Sequence, residues 1–449
     1  MALSAMDLIA DLRLTDGLVL WTAWVAGAAG FLLLLRRPDR LAVNAHGRGW
    51  IWRWAAVILL TVIGAAGIVA AVHWSLVYVF SVYPGELPTD VLAWTVPPVE
   101  ALLLWLLHLR GTSWPRRVSR FAAVLGVLFL SAVQINAYFG LNRTVSDLLG
   151  TAVARVQPLE PALLRQTGTH PAVPLKGWEP LDGLPSEGLL RKATIPGVAS
   201  GFSARDAYVY LPPAYSSVNR PQLPVLVLFS GQPGGPADWL SGGALRSQMD
   251  SYASRHGGIS AIVIVVDPNG SESGNSLCMD SRIAQADTYL SSDVPRWISE
   301  TLDVVPDHAD WAVGGFSFGA TCALQMATRH PDIYRSVIAF SSELEPALAK
   351  ERQKTIDIAF AGDTAAFDRQ TPLNVMKQGG LAGSVAYFGA GERDPEFRGY
   401  MEVLARGARS AGMTVEAKVV ENTGHSWDTP ATGMESALDF LSGRWGLQQ

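Results

Sequence analysis

Charge is scarce in this chain: 17% of its 449 residues are Asp, Glu, Lys or Arg, and the mean hydropathy is +0.20. Soluble domains ordinarily carry about a quarter charged residues. The shortfall points to a membrane part joined to a soluble part. A basic excess is absent as well; the net charge of −5 removes the electrostatic case for a nucleic-acid partner. Lysine is the rarer cation, with six of the 35 basic residues against 29 arginines, a balance that points to a high-GC bacterial genome. Internal repeats, a P-loop, a zinc-ligand cluster and a dinucleotide fingerprint are all missing, so no metal and no cofactor is expected. Cysteine is nearly absent, with only Cys278 and Cys322.

The apolar excess lies at the N-terminus, in four stretches at about 17–35, 54–74, 91–109 and 119–139. Each approaches the ~20 residues a helix needs to cross a bilayer. The first does not read as a cleavable signal peptide, because Asp7, Asp11 and Asp16 precede it and three more spans follow. Pro97 and Pro98 interrupt the third, which is expected to kink or begin late. The first connection carries Arg36, Arg37, Arg40, Arg48 and Arg53; the third carries Arg110, Arg116 and Arg117, with Arg120 at the start of the fourth span. The connection 75–90 has no Lys or Arg. By the positive-inside rule, connections one and three are cytoplasmic, and everything after about residue 145 faces outward. The expected location is therefore a bacterial plasma membrane, multi-pass, with the lipid bilayer as partner. His73, Glu100, Gln134 and Asn136 are polar residues in or near the spans, and plain anchoring is the favoured reading of the four helices.

Three regions are expected: a transmembrane domain at 1–145, a proline-rich linker or stalk at 146–187, and an α/β domain at 188–449. The linker reading rests on Pro158, Pro161, Pro171, Pro174, Pro180 and Pro185. From residue 188 the pattern alternates strands and helices, the signature of a mostly parallel sheet. Candidate strands are 191–195, 206–211, 225–230, 261–266, 311–316, 336–341, 356–361, 385–389 and 415–420, with helices at 288–301, 320–329 and 398–411 among those between them. An outward-facing compartment permits a disulfide, and Cys278–Cys322 is the expected bridge.

Gly315-Phe316-Ser317-Phe318-Gly319 lies between an apolar run and a helical pattern. This is the G-x-S-x-G nucleophile elbow in its strand–turn–helix context. A serine hydroxyl needs a base, and the base an orienting acid. Downstream, His425 follows a strand and a glycine in Asn422-Thr423-Gly424-His425-Ser426-Trp427. The acid is Asp394, in Ala390-Gly391-Glu392-Arg393-Asp394-Pro395, with Glu392 and Glu402 as alternatives. Oxyanion donors are expected at the backbone N–H of Phe318 and, since Pro233 has none, of Gln232 in Ser230-Gly231-Gln232-Pro233-Gly234-Gly235.

These residues carry a resemblance. Val209-Tyr210-Leu211-Pro212-Pro213, Leu228-Phe229-Ser230-Gly231, the run from Tyr289 to Trp297, the elbow, His330-Pro331 and Gly424-His425-Ser426-Trp427 together resemble the group of α/β-hydrolases described as putative esterases. That group includes esterase D-like, feruloyl and enterochelin esterases and the secreted mycolyltransferases. The resemblance spans about 188–446 and none of 1–150. It implies an α/β-hydrolase fold behind an all-α membrane domain, with the serine, acid and histidine roles at Ser317, Asp394 and His425. A mycolyltransferase pattern would move the acid to Glu402. The implied activity is serine esterase chemistry on an acyl ester of a cell-envelope lipid or glycan. The alternatives are acyl transfer to a sugar or lipid hydroxyl, and a catalytically silent binding module.

Overall fold

The structure, a computed structural model, describes residues 9–36, 49–109, 112–166, 172–179 and 183–447. Asp7, Arg37, Arg40, Arg48, Arg110, Pro171 and Pro180, used in the sequence reading, lie outside the described residues. The chain divides into two compact units, Met1–Thr151 and Ala152–Gln449.

Among its described residues, the first unit holds four helices long and apolar enough to cross a membrane. They are α1 (Gly17–Leu34), α2 (Gly49–Trp74, extended by a π turn over Ser75–Val79), α3 (Thr89–His108) and α4 (Trp114–Phe139). Large apolar side chains such as Trp21, Leu32, Trp52 and Leu60 point outward, and small residues face the neighbouring helices. A Cβ on Gly30 would stand 2.6 Å from the Ala123 carbonyl oxygen, and one on Gly126 2.8 Å from that of Ala26. Glycine thus lets α1 and α4 touch backbone to backbone. The third helix does not begin late; it runs through Pro97 and Pro98 from Thr89. Glu100 is buried on it, His73 meets the Glu86 carboxylate at 2.7 Å, and Asn136 closes the end of α4 by bonding Asn142.

The second unit is built on a nine-stranded sheet in the order β1-β2-β3-β5-β4-β6-β7-β8-β9. The strands are β1 (Gln157–Pro158), β2 (Leu189–Ala193), β3 (Ala207–Leu211), β4 (Val225–Phe229), β5 (Ile262–Val266), β6 (Trp311–Phe316), β7 (Ser336–Phe340), β8 (Val385–Gly391) and β9 (Thr414–Val420). From β5 to β9 every neighbouring pair is parallel, while β3 is antiparallel to both β2 and β5. Every residue of β4, β5, β6 and β7 is buried, which is why they read as unbroken apolar runs: parallel strands are covered on both faces. The covering helices include α5 (Leu245–Arg255), α6 (Val294–Thr301), α7 (Phe318–Arg329), α8 (Arg352–Phe360), α9 (Pro395–Ser410) and α10 (Asp428–Ser442).

The strand expected at 356–361 is not one: those residues fall mostly in α8. Thr355, Ile356 and Ala359 bury one helical face while Ile358 is 53% exposed. A short apolar run fits either period, and here tertiary packing selects the helical one. The described residues of 152–187 add structure of their own. Gln157–Pro158 forms the outermost strand, where a proline's missing N–H is tolerated. Buried Arg220 pairs with Asp303 at 2.9 Å and donates to the Ala162 and Leu164 carbonyls, pinning that stretch to the sheet unit.

Candidate active site

The site forms where parallel strands end. Strand β6 delivers Ser317 into a turn with φ +55° and ψ −122°, a conformation costly for any side chain. The surrounding bonds hold it there: Ser317 N–H donates to the Phe340 carbonyl at 2.9 Å, and the Ser317 carbonyl accepts from Ala320 and Thr321 in the first turn of α7. Two glycines make the turn possible. A Cβ on Gly315 would lie 2.1 Å from the backbone of Gly319, and one on Gly319 2.2 Å from the Phe229 carbonyl oxygen.

His425 arrives from the loop after β9. Its Nε2 lies 2.9 Å from Ser317 Oγ and its Nδ1 3.0 Å from Asp394 Oδ2. An ionised carboxylate only accepts, so Nδ1 carries the proton and Nε2 is free to accept from the serine. The loop is fixed on several sides. Thr429 Oγ1 donates to the Gly424 carbonyl at 2.6 Å, Arg393 N–H donates to the Thr423 carbonyl, and Glu392 Oε2 accepts from Asn422 N–H. The imidazole packs against Phe397, with ring centroids 4.0 Å apart, and against Phe316 at 5.2 Å. Asp394 also caps α9, accepting the Phe397 N–H through Oδ1 at 3.4 Å. One carboxylate therefore starts the helix and contacts the histidine.

The alternative acids are not brought to His425. Glu392 is spent on Asn422, and Glu402 is exposed on α9, 3.9 Å from Arg406. Gly231 lies beside the elbow, since a Cβ on it would stand 4.0 Å from Ser317 Cβ. Among the described residues, no acceptor is found for the N–H of Gln232 or of Phe318. Cys278 and Cys322 are bonded, with Cα atoms 5.5 Å apart, joining the segment after β5 to α7.

Several contacts were not legible in the sequence. Arg205 forks onto Asp267, which is fully buried at the end of β5, and reaches the Gly234 carbonyl. Asp238 accepts the Gly235 N–H, and burial pushes its carboxyl up to about 6. Glu343, after β7, accepts from Thr321 Oγ1 at 3.2 Å, and burial pushes it up to about 7. Phe397 gave no signal beyond its place one turn past Asp394.

A family model described as putative esterase matches residues 203–434. The chain belongs to that family. Membership gives residues 203–434 an α/β-hydrolase fold, and the four apolar helices lie outside the matched residues. An uncharacterized protein of Corynebacterium glutamicum is 41% identical over 255 residues, covering 56% of this chain and 59% of that one. The chain thus spans less than two thirds of the length of this curated relative. Among solved structures, a ferulic acid esterase superposes with a TM-score of 0.50 at 17% identity, covering 58% of this chain and 99% of that one. An S-formylglutathione hydrolase from Agrobacterium tumefaciens has a TM-score of 0.49 at 17% identity, covering 58% and 97%. At such identities the first of these likenesses speaks for the fold alone.

Proposed function

We propose that this chain is a membrane-anchored serine esterase whose catalytic unit faces outward and hydrolyses an acyl ester of a cell-envelope lipid or glycan. The observation that carries this reading is the unbroken series Asp394–His425–Ser317, at 3.0 Å and 2.9 Å. His425 Nε2 takes the hydroxyl proton as Ser317 Oγ bonds to the ester carbonyl carbon. The oxyanion is held by the N–H groups of Gln232 and Phe318. The C–O bond to the alcohol breaks, and the alcohol leaves with the proton from His425. Water then adds to the acyl-enzyme, giving its proton to His425, and the acid departs as Ser317 recovers its hydrogen. Asp394 keeps Nδ1 protonated and steadies the imidazolium. The arginine-rich first and third connections support the outward orientation. Anchoring puts the catalytic unit close to envelope esters.

The test treats membranes carrying the protein with a fluorophosphonate probe and follows turnover of a p-nitrophenyl ester. Wild type is expected to label and turn over. Ser317→Ala should do neither, and His425→Ala should lose at least roughly 10³-fold in kcat. A folded wild-type protein that neither labels nor turns over would overturn the reading in favour of a silent binding module. An acyl group of the p-nitrophenyl ester recovered on a supplied sugar or lipid alcohol, with little free acid formed, would convert it to acyl transfer.

A further inference from the structure

The loop that carries Gln232 leaves the sheet after Phe229 and has no strand partner beyond it. Its far side is nevertheless tied down at three backbone atoms. Gly234 N–H donates to the Glu272 carbonyl at 2.9 Å, Gly235 N–H donates to Asp238 Oδ2 at 2.8 Å, and the Gly234 carbonyl accepts from Arg205 Nη2 at 2.9 Å. Arg205 is itself rigid. Its Nε and Nη2 grip both oxygens of Asp267 at 2.8 Å each, and its backbone N–H donates to the same carboxylate at 2.9 Å. Asp267 is fully buried, and its Oδ1 also accepts Asn269 N–H at 3.0 Å. A guanidinium with several donors in one plane can hold a carboxylate and a carbonyl together, which an ammonium does poorly.

The same segment reaches the other side of the site. Leu277 accepts from Gln325 Nε2 of α7 at 3.1 Å, and Cys278 is bonded to Cys322 of α7. Helix α7 begins at Phe318, the second oxyanion donor. Residues 267–278 therefore connect the loop bearing one donor to the helix bearing the other.

We propose that Arg205 is a positioning residue for the oxyanion hole, holding the Gln232 N–H at its distance from Phe318 N–H through the Gly234 carbonyl. The inference rests on the esterase reading above. Arg205 touches neither substrate nor triad in this account; it acts through the loop. Loosening the loop should weaken binding of the tetrahedral transition state and leave ester binding nearly unchanged.

The experiment compares Arg205→Gln and Arg205→Lys with wild type, using the whole chain in detergent. It measures kcat and KM for a p-nitrophenyl ester, the inhibition constant of a trifluoromethyl ketone, and the pH profile of kcat/KM. For Arg205→Gln, kcat should fall roughly 10- to 100-fold, short of the loss when a donor is removed outright. KM should stay within about twofold, and ketone affinity should fall in step with kcat/KM. The pH profile should keep its shape, since the His425–Asp394 pair is untouched. Arg205→Lys, which keeps the charge beside Asp267, should fall between the two. An unchanged kcat in a folded Arg205→Gln protein overturns the proposal. So does a fall in kcat with ketone affinity unmoved, and so does failure of both variants to fold, which would make Arg205 purely structural. Fluorophosphonate labelling of wild type in the same preparation separates the two ideas: labelled wild type with an unmoved variant sinks only the role of Arg205, while unlabelled wild type sinks the esterase reading itself.

Discussion

Asp394 and Glu343 show how one functional group, the carboxyl, takes different duties from its surroundings. Asp394 has one oxygen on His425 and the other on the first turn of α9. Replacing it with Asn keeps the shape but offers His425 an amide, which favours the wrong tautomer. Asp394→Asn should lower kcat by roughly 10⁴-fold, whereas Glu402→Gln and Glu392→Gln should stay within a few-fold of wild type; steady-state kinetics on the three variants checks this. Glu343 is pushed by burial from 4.5 to about 7, against the hydrogen bond from Thr321, which pulls the other way. A carboxyl that binds its proton more tightly when folded contributes stability in full below about 4.5, and that contribution is lost progressively as the pH rises to about 7. Glu343→Gln cannot ionise. Its melting temperature should match wild type near pH 4.5, rise above it through the interval, and keep a constant lead above pH 7; thermal unfolding of the whole chain in detergent across pH 4.5–8 reads this directly.

At the scale of elements, the elbow depends on two close approaches, not on an intrinsically helical sequence. Helix α7 meets β4 so closely that a Cβ on Gly319 would stand 2.2 Å from the Phe229 carbonyl oxygen and 2.6 Å from that of Ser230. Those atoms are backbone and cannot swing away. Gly319→Ala should therefore shift α7 from β4, displace the Phe318 N–H and cost at least about 2 kcal/mol of stability, seen as a lower melting temperature together with loss of fluorophosphonate labelling. The elbow, its strand and its helix were legible because glycine spacing, an unbroken apolar strand and a helical period agree over adjacent residues. Helix α8 was not. Its apolar run is too short for periodicity to choose between strand and helix, and the deciding contacts come from the segment around Leu277 and Met279 and from Phe367. The edge strand Gln157–Pro158 escaped for the opposite reason: two exposed residues leave no pattern.

For the molecule as a whole, the proposed function turns on which side of a membrane the unit Ala152–Gln449 would occupy. On the proposed reading, the arginines flanking the apolar spans put both chain ends outside. Protease added to intact cells should then digest the unit Ala152–Gln449, with the same unit protected in inverted vesicles; blotting for a C-terminal epitope checks this, and the reverse pattern would place the enzyme in the cytoplasm. A catalytic unit outside the cell also suits the Cys278–Cys322 bridge, which persists in oxidising surroundings.

The amino-acid sequence by itself determined the four apolar spans, the alternation of strands and helices after residue 188, the elbow, and the choice of Ser317 and His425 as the proposed nucleophile and base. All of these are local: each is written in the spacing of neighbouring residues, through a helical or strand period, a glycine that admits a turn, or a length that matches a bilayer. Only the tertiary structure shows which of Asp394, Glu392 and Glu402 lies beside His425, because that depends on which carboxylate the strand ends of β8 and β9 carry to one imidazole. It alone joined Arg205, Asp267 and Gly234, which lie on three separate segments. Contacts between segments distant in sequence leave no periodic trace in any one of them, so they become visible only when the sheet sets their order and register.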